Sequence, residues 1–349
     1  MRTVLPINRK GRFFAAADAC AIRVWYNRRR RNEAMKITVI GAGSIGLLYA
    51  ARLSLAGEDV RALVRTRRHA EALREDGITL KTHEGEFAVP IEAAALEDAG
   101  NGSGRGNAME PRWFILSVKQ TALDAPLLGR LALLAGPQDA MLCLQNGIGH
   151  MERLNQSLPD VALYAGVTSE GAMREDARTV IHTGLGELHY GAANEAASAS
   201  RAAKLRGMWQ KAADKAGIAA FLSNDMENRI YRKLLLNAVI NPLTALYGIR
   251  NGELPSHPQA GKLMEALHEE TAAILARAGL ALDGSERARL LEVCRLTAGN
   301  VSSMLADIRA GRRSEIDSIN GAVASLAGTL GVDAPLNQAA AAMVKALEP

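Results

Sequence analysis

Three polar side chains recur at even spacing in an otherwise apolar stretch. They are Lys233, Asn237 and Asn241, within Arg232-Lys-Leu-Leu-Leu-Asn-Ala-Val-Ile-Asn-Pro242. At about 100° per residue, each step of four returns to one helix face with about 40° of drift. The flanking apolar residues predict a buried helix. A row of one ammonium and two carboxamides is costly to bury unless it is paired or faces a polar ligand. Two readings stay open. Either the row lines a ligand site, or it makes capping and interhelix hydrogen bonds, with Asn241 ending the helix before Pro242.

A second polar stripe is Asn300, Ser303 and Asp307, at spacings of three and four. The turn Gly311-Arg-Arg313 follows, then Ser314-Glu315-Ile-Asp317. On spacing alone, Ser314 reads as the N-cap of a new helix and Asp317 as a weak capping-box acid. Glu315 then reads as a carboxylate favoured by the helix dipole, worth roughly 0.3–1 kcal/mol.

The other chemistry-bearing residues stand where apolar runs end. Lys36-Ile-Thr-Val-Ile40 precedes Gly41-Ala42-Gly43-Ser44-Ile45-Gly46, and Ile45 to Ala56 reads as a helix with Gly57 at its stop. Val60 to Val64 is the next strand. A GxGxxG in a strand-turn-helix-strand setting predicts a dinucleotide site, with free N–H groups at the helix start facing the phosphates. The second strand ends at Val64-Arg65, with no acid to bind a ribose 2′-hydroxyl. A guanidinium there suits a 2′-phosphate, so NADP is expected over NAD, with Arg65 the first choice. Lys119 follows Phe114-Ile-Leu-Ser-Val118, and Asn146 follows Met141-Leu-Cys-Leu-Gln145. In doubly wound sheets, ligands lie outside the carboxyl ends of strands, where these residues would sit.

These elements imply an α/β fold: an N-terminal Rossmann-type, doubly wound parallel sheet over 35–224. From Asp225 strands give way to Ala/Leu-rich helical segments, predicting an all-helical domain over 225–349. Asn241-Pro242, Asn251-Gly252, Pro255, Gly284 and Gly311 punctuate it. Asn101-Gly-Ser-Gly-Arg-Gly106 reads as a flexible surface loop.

Composition narrows the function classes. The 349 residues allow two domains, and 48% hydrophobic with 23% charged residues suits a soluble globular protein. The 4% aromatic content disfavours a stacking platform for nucleic acid. The net charge of +5 comes from the first 34 residues, with nine bases against two acids; the remainder holds 33 bases and 35 acids. Nucleic acid is therefore not an expected partner, nor is a membrane, since no long uncharged apolar run occurs. The leader reads as a disordered tail, an Arg-rich transit peptide or, preferably, a segment preceding a native start at Met35. Cys20, Cys143 and Cys294 are too few and scattered for a disulfide framework, which suits the cytoplasm. The seven histidines lack metal-ligand spacing, so no metal is expected.

GAGSIG, SVKQ, LQNGIG, RKLLLNAVINPLTA, NGEL, NVSSMLADI and SEIDSINGAV occur in this order. Together they resemble the ketopantoate reductase (2-dehydropantoate 2-reductase) family, from Met35 to near the C-terminus. The leader and the insertion at 100–112 have no counterpart in that pattern. The resemblance implies reduction of ketopantoate to (R)-pantoate by NADPH, on the way to pantothenate and coenzyme A. It implies Lys233 as general acid and Glu315 as its acidic partner in the site. Asn237, Asn241, Asn251 and Ser303 would hold substrate, with Asn300 beside them. Gly41 to Gly46 and Arg65 would hold cofactor, and Lys119 and Asn146 would lie between nicotinamide and substrate. The residue types agree with this chemistry. An ammonium can stabilise negative charge forming on a ketone oxygen and then give it a proton, whereas arginine holds its proton too tightly. A reductase of another small 2-oxo acid and a non-catalytic NADP-binding regulator are the competing readings. Monomer and homodimer are both compatible with the sequence.

Overall fold

The computed structural model describes residues 34–99 and 110–349. The basic leader and the loop at 101–106 lie outside them. The described residues divide into two compact units. One comprises residues through Val118, Ala122–Gln145 and Met151–Asn224; the other comprises Lys119–Thr121, Asn146–His150 and Asp225–Pro349.

The first unit is built on β1 (Lys36–Ile40), α1 (Ser44–Leu55) and β2 (Asp59–Val64). The chain continues through α2 (Arg67–Asp76), β3 (Ile78–Thr82), β4 (Gly85–Val89), β5 (Glu92–Ala95) and β6 (Trp113–Leu116). Then come α3 (Ala125–Leu134), β7 (Ala140–Cys143), α4 (His150–Ser157) and β8 (Ala162–Thr168). The unit closes with β9 (Gly171–Arg174), β10 (Thr179–Gly184), β11 (Glu187–Ala192), α5 (Glu195–Ser198), α6 (Ser200–Lys215) and β12 (Ala219–Leu222). Among the described residues the main sheet has eight strands in the order β12-β11-β8-β7-β6-β1-β2-β5. Every neighbouring pair is parallel except β8 with β11. The register aligns Leu63, Ile40, Leu116 and Cys143 across the sheet, so the loops after β2, β1, β6 and β7 leave from one edge. The central strands are buried on both faces, which is why they read as unbroken apolar runs.

A second sheet, β4-β3-β10-β9, was not foreseen. Its parallel pairing of β3 with β10 joins segments about a hundred residues apart, at Thr79 and Thr179. α1 packs against β1 and β2 and also against β3, β9 and β10. This accounts for its burial from Gly46 to Leu55, where an exposed helix would carry a polar stripe. The one charge on the helix, Arg52, is satisfied by Glu170 at 2.6 Å and by the Ala216 carbonyl at 3.2 Å.

The second unit is helical: α7 (Met226–Tyr247), α8 (Ala260–Arg277), α9 (Glu286–Leu296), α10 (Ser303–Arg309), α11 (Asn320–Thr329) and α12 (Pro335–Lys345). α7 packs on α8, α10 and α12. The alternative in which Asn241 ends a helix before Pro242 does not hold. α7 runs through Pro242 and stops at Gly248, which takes the left-handed φ of +68°. Pro242 cannot donate to the Ala238 carbonyl, but the Asn320 side-chain amide does so at 2.8 Å. The freed acceptor is satisfied, so the proline is tolerated. The stripe Asn300-Ser303-Asp307 is likewise not one helix face. Ser302 caps α10 by accepting from the Leu305 N–H at 3.1 Å, which leaves Asn300 outside the helix.

Candidate active site

At the end of β1 the chain turns at Gly41, whose φ of +101° favours glycine. A Cβ at Gly46 would run into the Gly41 carbonyl and the Ser117 hydroxyl, so glycine lets α1 start tight against the turn. Gly43 is different: the nearest atom to a Cβ there is the Ser117 carbonyl oxygen at 3.9 Å, so its backbone borders open space. No side chain caps α1 at Gly43, and its first turn carries no acid. Around this loop, the Arg174 guanidinium donates to the Ala42 carbonyl at 3.0 Å, and the Arg174 backbone N–H donates to the Ser44 hydroxyl at 3.2 Å. Ile45 packs on the core below. At the end of β2, Arg65 is exposed and makes no ion pair with any described residue. Arg67, two residues on, is held by Asp98 at 2.8 Å and Glu97 at 3.2 Å.

The second unit gathers a denser cluster. It includes Lys119 and Gln120, just after β6, and Asn146 to His150, just after β7. Glu315 lies at its centre and is only 8% exposed. One carboxylate oxygen accepts the Gln120 backbone N–H at 3.1 Å; the other accepts the Asn146 side-chain amide at 3.1 Å. The Gln120 side chain donates to the Asn146 carbonyl at 2.6 Å and meets Nδ1 of His150 at 3.0 Å. Lys119 pairs with Asp307, which also accepts Arg312 at 3.2 Å. The loop at 146–150 is docked by the Ile148 N–H, which donates to the Ser318 carbonyl at 3.3 Å. Gly147, at φ +81°, lets the backbone approach that carbonyl more closely than any Cβ would permit.

Local structure around Glu315 corrects the sequence reading. Ser314 does not cap an α-helix; its hydroxyl accepts from the Ile316 N–H at 3.2 Å and opens a single 3₁₀ turn, Ile316–Ser318. It also donates to Glu348 at 2.6 Å. Asp317 pairs with Lys345 at 2.5 Å rather than closing a capping box. Glu315 serves no helix dipole, because its carboxylate is held by Gln120 and Asn146.

The electrostatics link the cluster to α7. Burial raises the Glu315 pKa, while the Asn146 and Gln120 donors and the Lys119 charge pull it back. Burial lowers the Lys233 pKa to about 8, and the Glu315 charge works in the opposite direction. The Glu315 charge therefore acts on the titration of Lys233. On the same face of α7, the carboxamides of Asn237 and Asn241 have no hydrogen-bond partner among the described residues. Neither carboxamide therefore makes a capping or interhelix hydrogen bond among the described residues. Asn251 is buried; its amide donates to the Thr297 hydroxyl at 3.0 Å, and its backbone N–H donates to the Asn300 carbonyl at 3.1 Å. Asn300 and Ser303 are exposed, and neither side chain has a partner among the described residues.

Two family models match the chain: "Ketopantoate reductase PanE/ApbA" over residues 37–195, and "Ketopantoate reductase PanE/ApbA C terminal" over 225–348. The chain belongs to the ketopantoate reductase family. The 2-dehydropantoate 2-reductase of Bacillus subtilis (strain 168) is 33% identical to it over 318 residues, covering 90% of this chain and 98% of the relative. The enzyme of the same name from Archaeoglobus fulgidus is 30% identical, with the same coverage. The crystal structure of a probable 2-dehydropantoate 2-reductase from Bacillus subtilis superposes with a TM-score of 0.73 at 32% identity, over 90% of this chain and 100% of that one. A D-mandelate dehydrogenase complexed with NADH and anilino(oxo)acetate shares the fold, with a TM-score of 0.79 at 24% identity over 90% of this chain and 98% of that one. The ketopantoate reductase fold, a Rossmann-type domain followed by a helical domain, is thus the one described above.

Within this ketopantoate reductase family member, sequence reasoning passed over Gln120, His150 and Arg174. Gln120 stood in the SVKQ motif beside Lys119, but a neutral amide after a lysine carries no signal of its own. Arg174 gave none, since its contact with the glycine turn depends on the unforeseen second sheet. Among the described residues no group of three or more His, Cys, Asp or Glu could hold a metal ion. No described helix is long and apolar enough to cross a membrane.

Proposed function

We propose that this chain reduces 2-dehydropantoate (ketopantoate) to (R)-pantoate with NADPH, a step toward pantothenate and coenzyme A, with Lys233 as general acid. The observation that carries this reading is Lys233 itself. It is an ammonium with a depressed pKa, coupled to a buried carboxylate and aligned with two carboxamides that lack partners. The names of relatives at 30–33% identity support the substrate.

The residues present fit a dinucleotide. Gly43 borders open space above an α1 N-terminus that no side chain caps, and Arg65 has no competing carboxylate. Gly41 to Gly46, with Ala42, Ser44 and Ile45 between the glycines, would hold the pyrophosphate, and Arg65 a 2′-phosphate. Residues 35–224 are in this reading the nucleotide-binding domain, and 225–349 carry the substrate. When bound, the reduced nicotinamide supplies the hydride.

The chain's own residues do the rest. Lys233 donates a hydrogen bond to the substrate's keto oxygen, stabilises the charge that develops there and delivers the proton. Its lowered pKa makes that transfer easier near neutrality than from an ordinary lysine. Glu315 keeps the ammonium charged despite its burial. Asn237 and Asn241 turn their unpartnered amides to the substrate, and Asn251, Ser303 and Asn300 complete the polar lining. Lys119 and Asn146 mark the boundary between nicotinamide and substrate.

The test is NADPH oxidation followed by absorbance, with ketopantoate and a panel of other small 2-oxo acids. Ketopantoate is expected to give the highest kcat/KM. Tight NADPH binding with no oxidation by any panel member would overturn the reading.

A further inference from the structure

The hydrogen bonds around Gln120 fix the state of a histidine that no functional reading has used. The Asn146 carbonyl can only accept, and the Gln120 side chain meets it at 2.6 Å, so the Gln120 atom there must be the amide nitrogen. The same nitrogen lies 3.0 Å from Nδ1 of His150. An NH₂ group brings two hydrogens. One goes to the carbonyl, and the other needs an acceptor. Nδ1 of His150 must therefore present a lone pair, because an N–H there would face another N–H.

We propose that His150 is a positioning residue: a neutral imidazole, protonated on Nε2, whose Nδ1 holds the Gln120 amide and through it the grip on Glu315. This rests on the reading of Glu315 and Asn146 as site residues. Both donors to the Glu315 carboxylate belong to the linked pair, the Gln120 backbone N–H and the Asn146 side chain. The Gln120 side chain ties that pair together, and His150 stops the side chain from turning. His150 and Gln120 are 4% and 8% exposed, so water does not readily replace either partner. The arrangement also belongs to one short stretch of chain. His150 opens α4, four residues after Asn146, so a loop already docked on Ser318 supplies both ends of the link.

Two measurements test this. Nitrogen-15 NMR of histidine-labelled protein, with the His150 signal assigned by its loss in H150N, should show Nδ1 unprotonated. A proton on Nδ1 would overturn the proposal. This measurement needs no turnover, so it is decided independently of the activity reading. In kinetics with ketopantoate, H150L removes the acceptor and should lower kcat/KM about 10-fold, the scale of one buried hydrogen bond left unmade. H150N keeps an oxygen acceptor near the Nδ1 position and should recover most of that loss. A merely structural histidine would show equal losses in both variants, tracking their melting temperatures, and that result would also overturn the proposal.

Discussion

The Glu315 carboxylate opposes what burial does to Lys233: burial drives the ammonium's pKa down to about 8, and Glu315 pulls it back up. A general acid works only while it holds its proton, so ketopantoate reduction should decline as pH rises through about 8. Replacing the carboxylate by a neutral amide, Glu315→Gln, removes the opposing charge, and the declining limb should move to lower pH. Rate profiles from about pH 6 to 10 for both proteins check this; a limb unmoved in E315Q would reject the coupling. The same shift has a sign for stability. The native pKa lies below the unfolded value of 10.5, so the unfolded chain binds more protons between roughly pH 8 and 10.5. Across that window the Lys233 contribution to stability rises with pH, and its full cost is present below pH 8.

Lys233→Ala should lower kcat by at least about 10²-fold, the usual scale for a positioned proton donor. Lys233→Arg should fare little better. A guanidinium keeps the charge but does not release a proton in this range. Steady-state assays at saturating NADPH measure both. Near-normal turnover by K233R would leave Lys233 an electrostatic role only.

How much of this was legible beforehand depended on whether a signal was local. The turn at Gly41 to Gly46 was legible because backbone constraints write themselves into consecutive residues. Lys233, Asn237 and Asn241 were legible because helix periodicity repeats over two turns. The course of α7 through Pro242 was not, because the group that makes it tolerable, Asn320, lies far along the chain. The stripe Asn300-Ser303-Asp307 misled for the opposite reason: its spacing was helical, but Ser302 starts the helix too late to include Asn300. The pairing of β3 with β10 and the hold of Gln120 on Glu315 join segments that no sequence window spans.

Arg65→Ala should raise the Kd for NADPH roughly 10-fold or more while leaving that for NADH nearly unchanged. A charge-assisted hydrogen bond is worth about 1.5–3 kcal/mol, and only the 2′-phosphate distinguishes the two nucleotides. Arg67 is not expected to substitute, since Asp98 and Glu97 already hold it. Fluorescence titration with each nucleotide provides the comparison. Equal weakening of both would move Arg65 away from the 2′-phosphate.

Glu315→Ala should impair use of the keto acid far more than binding of NADPH. The carboxylate lies with Lys233 and Asn146, and the glycine turn that would hold the pyrophosphate belongs to the other unit. KM for the keto acid and Kd for NADPH, measured on one preparation, separate the two effects. The reverse pattern would assign Glu315 to the cofactor.

The last prediction concerns the helix that carries Lys233. Asn320 donates to the Ala238 carbonyl at 2.8 Å and to the Asn337 side-chain oxygen at 2.9 Å, all of it buried. Asn320→Ala leaves both acceptors without that donor and should cost about 2–3 kcal/mol in urea unfolding. Pro242→Ala supplies a backbone N–H in register with the Ala238 carbonyl, so part of the need for Asn320 disappears. The Asn320→Ala penalty should therefore be smaller in the Pro242→Ala background, by on the order of 1 kcal/mol in a double-mutant cycle. An identical penalty in both backgrounds would mean that Asn320 is needed for Asn337 alone, and that α7 tolerates its proline by some other route.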